Sequence, residues 1–126
     1  MRIAIAHCRG RLSPVFDFSN SLCLIDIDGG METSRELRAL ISREPFHRAG
    51  EVLALGVDTL ICGALSRQME TALRAAGIRT VGFICGNLDE VIAAFLQGNL
   101  EDGRLLMPGC AAGKTRRRRR NRRGRG

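Results

Sequence analysis

No stretch of this 126-residue chain reaches the roughly 18 consecutive apolar residues of a membrane-spanning helix, so no span is expected. Nor does the start read as a secretory leader: Met1 to His7 is apolar but short, and runs straight into Cys8-Arg9-Gly10-Arg11. The expected location is cytoplasmic. Compact chemical signatures are missing too, with no Gly-x-Ser-x-Gly elbow, no Walker loop and no Cys-x-x-Cys pair. The first apolar run, Ile3-Ala4-Ile5-Ala6, carries no carboxylate, which argues against a metal-dependent nuclease. Enzymatic activity is not expected.

What is there begins with five cysteines, an odd set that reads as reduced thiols or metal ligands rather than as a disulfide framework. The formal net charge of +7 belongs to one end. From Lys114 onward there are nine basic residues and no acid, against eleven basic and thirteen acidic residues before it. The body is near neutral, and a tail of Arg, Gly and Asn buries nothing and is expected to be disordered. One folded domain over residues 1–110 and an Arg/Gly-rich tail over residues 111–126 follow. The tail has no aromatic residue to stack on a base, so nucleic-acid binding through it would be non-specific and salt-sensitive. An acidic protein partner is the other candidate.

The body alternates apolar runs with turn residues. Arg2 to His7 predicts a strand, Cys8 to Pro14 a loop at its C-terminal end, and Val15, Phe16 and Phe18 the apolar pins of that loop. Leu22 to Asp28 and Met31 to Leu40 predict a hairpin about Asp28-Gly29-Gly30. A helix is expected from about Pro45 to Leu55, with Phe46, Ala49, Gly50 and Leu53 on its apolar face. Val57 to Cys62 predicts a strand, and Ser66 caps a helix whose apolar face is Met69, Ala72, Leu73 and Ala76. Ile78 to Ile84 predicts a fifth strand, and Asn87 with Glu90 form a capping box before a third helix that stops at Gly98. The expected fold is a single α/β domain of three layers, with a mixed five-stranded sheet in the order 3-2-1-4-5 and three helices.

Around this frame one tripeptide occurs twice: Ile61-Cys62-Gly63 and Ile84-Cys85-Gly86 each precede a helix. In parallel neighbouring strands both sulfurs lie at the C-terminal edge of the sheet, where open α/β sheets bind ligands. Helix N-termini there favour anionic ligands and thiolates. Cys8 ends the first strand at the same edge. Cys110, in Met107-Pro108-Gly109-Cys110, follows the last element and could return to it, whereas Cys23 lies mid-strand and reads as core. His7 and His47 are further candidate ligands. The competing reading is that these small residues pack, since free cysteine is among the most buried residue types.

These pieces, in this order, resemble the dinitrogenase iron-molybdenum cofactor biosynthesis family. The likeness runs over Met1 to Cys110. It rests on Arg2-Ile3-Ala4-Ile5-Ala6, Ser13-Pro14-Val15-Phe16, Leu24-Ile25-Asp26, Gly56-Val57-Asp58-Thr59-Leu60-Ile61-Cys62-Gly63, Leu73-Arg74-Ala75-Ala76-Gly77-Ile78 and Phe95-Leu96-Gln97-Gly98-Asn99-Leu100. The resemblance implies a ribonuclease H-like fold without nuclease activity. It also implies binding of an iron-sulfur or iron-molybdenum cluster, or its precursor, with cysteines at the positions of Cys62, Cys85 and Cys110; the sheet-edge position adds Cys8 as a further expected ligand. Thiolates suit iron-sulfur ligation. Many members carry a Phe-Gly-Arg-Ala loop where this chain has Phe16-Asp17-Phe18-Ser19. The expected function is therefore cluster binding or carrying, with cluster donor or acceptor proteins as partners. The alternative is an interaction module working through its arginine tail.

Overall fold

The computed structural model describes residues 1–98 and 105–107. Asn99, Leu100, Cys110 and the Arg/Gly-rich tail lie outside the described residues. The strands are β1 (Arg2–Cys8), β2 (Arg11–Leu12), β3 (Ser21–Asp28), β4 (Met31–Ala39), β5 (Thr59–Ile61) and β6 (Arg79–Val81). The helices are α1 (Pro45–Ala54), α2 (Arg67–Ala75) and α3 (Leu88–Leu96). Among the described residues no helix is long and apolar enough to cross a membrane.

The chain is a mixed α/β domain. β1 pairs antiparallel with β3 and parallel with β5, β3 pairs antiparallel with β4, and β5 pairs parallel with β6. The five-stranded order 3-2-1-4-5 is corrected to a six-stranded sheet, β4-β3-β1-β5-β6, with β2 off this path and paired to β1. The difference arises at Arg11–Leu12, inside the segment expected to be a loop. Arg9 at φ 54° and Gly10 at φ 82° turn the chain tightly enough for His7 to pair with Leu12 and Cys8 with Arg11. Between β3 and β4, Gly29 and Gly30 both take positive φ, as a tight hairpin turn requires.

Strand alternation sorts the core onto two faces of the sheet. Ala4, Ala6, Leu22, Leu24 and Leu60 meet Ala49 and Val52 of α1 and Met69, Ala72 and Leu73 of α2. Ile3, Ile5, Cys23, Ile25 and Ile61 meet Leu88, Val91 and Ile92 of α3 on the other face. The alanines of β1 leave room for two helices, and the isoleucines fill the space under one. Cys23 is wholly buried, as its mid-strand position implies.

Caps set where the helices begin. Ser66 accepts a hydrogen bond from the Met69 N–H at 3.1 Å, and Asn87 and Glu90 form a reciprocal capping box. The apolar face expected for α1 is corrected: Phe46 and Leu53 are 58% and 50% exposed, while Arg48, Ala49 and Val52 are buried. The helix is rotated so that one long cation points inward. The expected strands Val57 to Cys62 and Ile78 to Ile84 shorten to Thr59–Ile61 and Arg79–Val81. Their apolar runs continue into edge segments outside the regular ladder, tied to each other by Cys62 N–H to Val81 O at 3.0 Å and Phe83 N–H to Gly63 O at 2.9 Å.

Candidate functional site

The C-terminal end of β1 opens into a cleft of about 520 Å³. His7 and Cys8 come from β1, Arg9 from the turn that follows, and Pro14, Phe18 and Ser19 from the next loop. Cys8 is exposed. Both ring nitrogens of His7 are buried without a hydrogen-bond partner among the described residues, a costly arrangement for polar atoms. Arg9 brings a cation to the rim.

The loop forming the cleft wall is pinned from three sides. Gly63 lets it approach, since a Cβ there would stand 2.5 Å from the carbonyl oxygens of both Ser13 and Pro14. The Ala64 N–H donates to Pro14 O at 2.8 Å and the Phe16 N–H to Ala64 O at 2.7 Å. The Asp17 carboxylate then accepts from the Ser66 N–H at 2.9 Å and the Ser66 hydroxyl at 2.6 Å. From beneath, the buried Arg48 donates to Phe16 O at 2.9 Å, to Ser19 O, and to Ser42 O at 2.8 Å. Its guanidinium lies 4.9 Å from the centre of the Phe16 ring. Desolvation lowers the Arg48 pKa from its ordinary value.

Of the pins expected from sequence, Phe16 is fully buried, Val15 is partly open and Phe18 is 67% exposed. Arg48 and Asp17 hold the loop instead. Arg48 shares a helical arc with Ala49 and Val52, and that juxtaposition was the available signal for an inward-pointing cation. For Asp17 the sequence offered none.

The two Ile-Cys-Gly tripeptides are not equivalent in space. Cys62 directly follows β5, but Cys85 lies four residues beyond the end of β6. The β5–β6 register sets Ile61 beside Val81, so the residue that follows alongside Cys62 is Gly82. Phe83 takes φ 61°, and the chain reaches Cys85 only after this bend. Cys85 is half-buried, and its thiol donates to Leu106 O at 3.6 Å. The Leu105–Met107 segment is tied there by Cys85 N–H to Leu105 O and Met107 N–H to Phe83 O, both 2.7 Å.

Cys62 is fully buried beneath α2. Burial pushes its thiol up to about 12, with the charges of Asp17 and Glu70 adding to the shift. This is the reverse of the acidic thiol expected near a helix N-terminus: α2 starts past Ser66, and desolvation dominates. His47 is exposed on the first turn of α1, with Nδ1 3.8 Å from Glu44 Oε1, and does not line the cleft. Among the described residues no group of three or more His, Cys, Asp or Glu side chains is placed to hold a metal ion. The carboxylates nearest the sheet have structural work. Asp26 pairs with Arg2 at 2.8 Å and accepts from Ser34 at 2.7 Å, which hold it below the usual carboxylate range, and Asp58 accepts from the Arg2 N–H at 3.1 Å.

No protein-family model matches this sequence. The chain is similar to an uncharacterised protein of Methanocaldococcus jannaschii, MJ0580, with 26% identity over 106 residues, covering 80% of this chain and 90% of that protein. Among solved structures it is similar to PH0822, with a TM-score of 0.72 and 24% identity, covering 78% of this chain and 92% of the other. It is also similar to MJ0327, described as a candidate dinitrogenase of Methanocaldococcus jannaschii, with a TM-score of 0.61, 19% identity and coverage of 79% and 90%. TM1290 of Thermotoga, described as a candidate NifB protein of the DUF35 family, gives a TM-score of 0.61, 23% identity and coverage of 78% and 89%. These structures share the fold of this chain.

Proposed function

We propose that this chain is a non-enzymatic carrier of an iron-sulfur or iron-molybdenum cluster, or its precursor, in nitrogenase-type cofactor assembly. It would work in the cytoplasm on a ribonuclease H-like scaffold without nuclease activity. The observation that carries this reading is the cleft at the end of β1, where His7, Cys8 and Arg9 meet. It occurs on a fold shared with proteins described as a candidate dinitrogenase and a candidate NifB protein.

The cluster is cargo, and the residues present suit a loose hold on it. Cys8 is the exposed sulfur donor, and the buried ring nitrogens of His7 have no hydrogen-bond partner among the described residues. Arg9 supplies the cation for an anionic cluster that the family's loop arginine would otherwise provide. Cys85 gives a second edge sulfur on the β6 side. Cys110 is the further sulfur that the resemblance implies. Cys62 packs unless the start of α2 opens, and His47 has no part in the cleft. So few ligands leave iron positions for the cluster's own sulfide and for a donor or acceptor protein, whose acidic surface the arginine tail would meet.

Anaerobic reconstitution of the full chain with ferrous iron and sulfide tests this. The expected result is sulfur-to-iron absorption in the visible that weakens in Cys8→Ser and Cys85→Ser and is unchanged in His47→Ala. A folded parent protein that stays colourless overturns the reading.

A further inference from the structure

β4 is the terminal strand of the sheet, nine residues long, and exposed from Thr33 to Ala39. No strand among the described residues lies along its outer side. The Leu40 N–H donates to Asn20 O at 2.8 Å, and the ladder sets Arg38 opposite Leu22 and Glu36 opposite Leu24. From Ser34 to Leu40, beyond the register shift at Asp26/Ile27, even-numbered residues therefore direct their backbone groups toward β3. By alternation, Arg35, Leu37 and Ala39 direct their N–H and C=O groups outward. An edge of this kind is a template for another strand.

We propose that β4 pairs antiparallel with β4 of a second copy of this chain about a two-fold axis at Leu37, making one sheet continuous through both. The charges select the register. An in-plane dimer sets each residue opposite one on the same face, so the axis falls on a residue. An axis at Ser34 opposes Glu32 to Glu36, and an axis at Arg35, Glu36 or Arg38 opposes that residue to itself. Only an axis at Leu37, among positions 34 to 38, places Glu36 opposite Arg38 twice and leaves no like charges facing. Directly opposed charges of opposite sign stabilise a strand pair and like charges destabilise it.

The same register fits the backbone and the apolar surface. Leu37 has its backbone groups outward, so it forms a hydrogen-bonded pair with its own copy, flanked by Arg35 opposite Ala39 on each side. This gives roughly six inter-chain hydrogen bonds. The Leu37 side chain, 63% exposed, lies on the face of its ladder partner Cys23, the α3 face, and meets its own copy there. Because the strands run antiparallel, the two clefts open toward opposite ends of the joint sheet. The dimer thus carries two separate clefts rather than one shared site, and the pairing does not depend on what they bind.

Sedimentation or light scattering of the full chain over a concentration series tests the pairing. The expected species has twice the 13.8 kDa chain mass. Arg38→Glu sets two glutamates opposite each other at both ends and is expected to weaken association about tenfold or more. Glu36→Arg with Arg38→Glu restores complementarity and should restore the dimer. Leu37→Pro removes a donor that faces no strand of its own chain and should leave a folded monomer. A monomeric parent at every concentration overturns the proposal. So does a dimer whose affinity is indifferent to Arg38→Glu.

Discussion

Cys62 lies against Gly82 across the junction of β5 and β6: a Cβ on Gly82 would stand 4.0 Å from the Cys62 sulfur. The Cys62 N–H donates to Val81 O at 3.0 Å, and its carbonyl accepts from Ile84 at 3.1 Å. The sulfur is thereby closed in by the neighbouring backbone. Of the described cysteines expected at the sheet edge, this one is the most deeply buried.

Thiol reactivity should follow that placement. Under brief alkylation of the native chain, Cys8 labels first, Cys85 more slowly, and Cys62 and Cys23 only on unfolding, as read by peptide mass spectrometry. Rapid native labelling of Cys62 would contradict the burial described.

The same burial makes stability fall in alkali. An unfolded cysteine ionises at about 8.5, whereas burial pushes the folded Cys62 thiol up to about 12. Across that window the folded chain keeps a proton that the unfolded chain releases. The contribution is complete below the unfolded value and is lost as pH rises toward 12. Burial raises Cys23 as well, with the same sign. Urea midpoints should therefore drop above about pH 9, and less steeply in Cys62→Ala than in the parent.

Arg48 should matter more to stability than its apolar neighbour on the helix. Arg48→Met leaves the carbonyls of Phe16, Ser19 and Ser42 without their donor and should cost about 3 kcal/mol. Phe46→Ser, at an exposed position, should change stability by less than about 0.5 kcal/mol. Denaturant unfolding of both variants gives the comparison.

Gly63→Ala tests the close approach of the cleft wall. The added methyl would meet two backbone oxygens at 2.5 Å, and neither can rotate away. A loss of about 2 kcal/mol is expected, with amide shift changes centred on Ser13 to Ser19. Gly50→Ala, whose added methyl meets nothing within 4 Å, should be neutral or stabilising because it sits inside a helix.

Local chemistry was the part of this fold most legible in the sequence. Asp28-Gly29-Gly30 marked the hairpin, Ser66 the start of α2, and Asn87 with Glu90 the capping box of α3, because each acts over three or four residues. The α1 face was read correctly at Ala49 but not at Phe46 and Leu53, because Arg48 and Val52 take the core positions beside it and only tertiary space decides between the two arcs. The double Ile-Cys-Gly was legible as a pattern but not as geometry. The positive φ of Phe83 and the early end of β6 displace Cys85 from the place Cys62 occupies. His7 and Cys8 were legible as a strand end. Their cleft was not, because its walls depend on the Arg9-Gly10 turn and on a loop held by Arg48 from 29 residues away in sequence.

The central claim is that the proposed cluster is held through Cys8 of the β1 cleft, with Cys85, outside the cleft lining, as second sulfur. Iron and acid-labile sulfide bound per chain, after anaerobic reconstitution and gel filtration, tests it most directly when the parent is compared with a Cys8→Ser, Cys85→Ser double variant. The account predicts iron and sulfide in matching amounts on the parent and a large loss of both from the variant, with both proteins folded. Equal iron on the two proteins, or none on either, would contradict it.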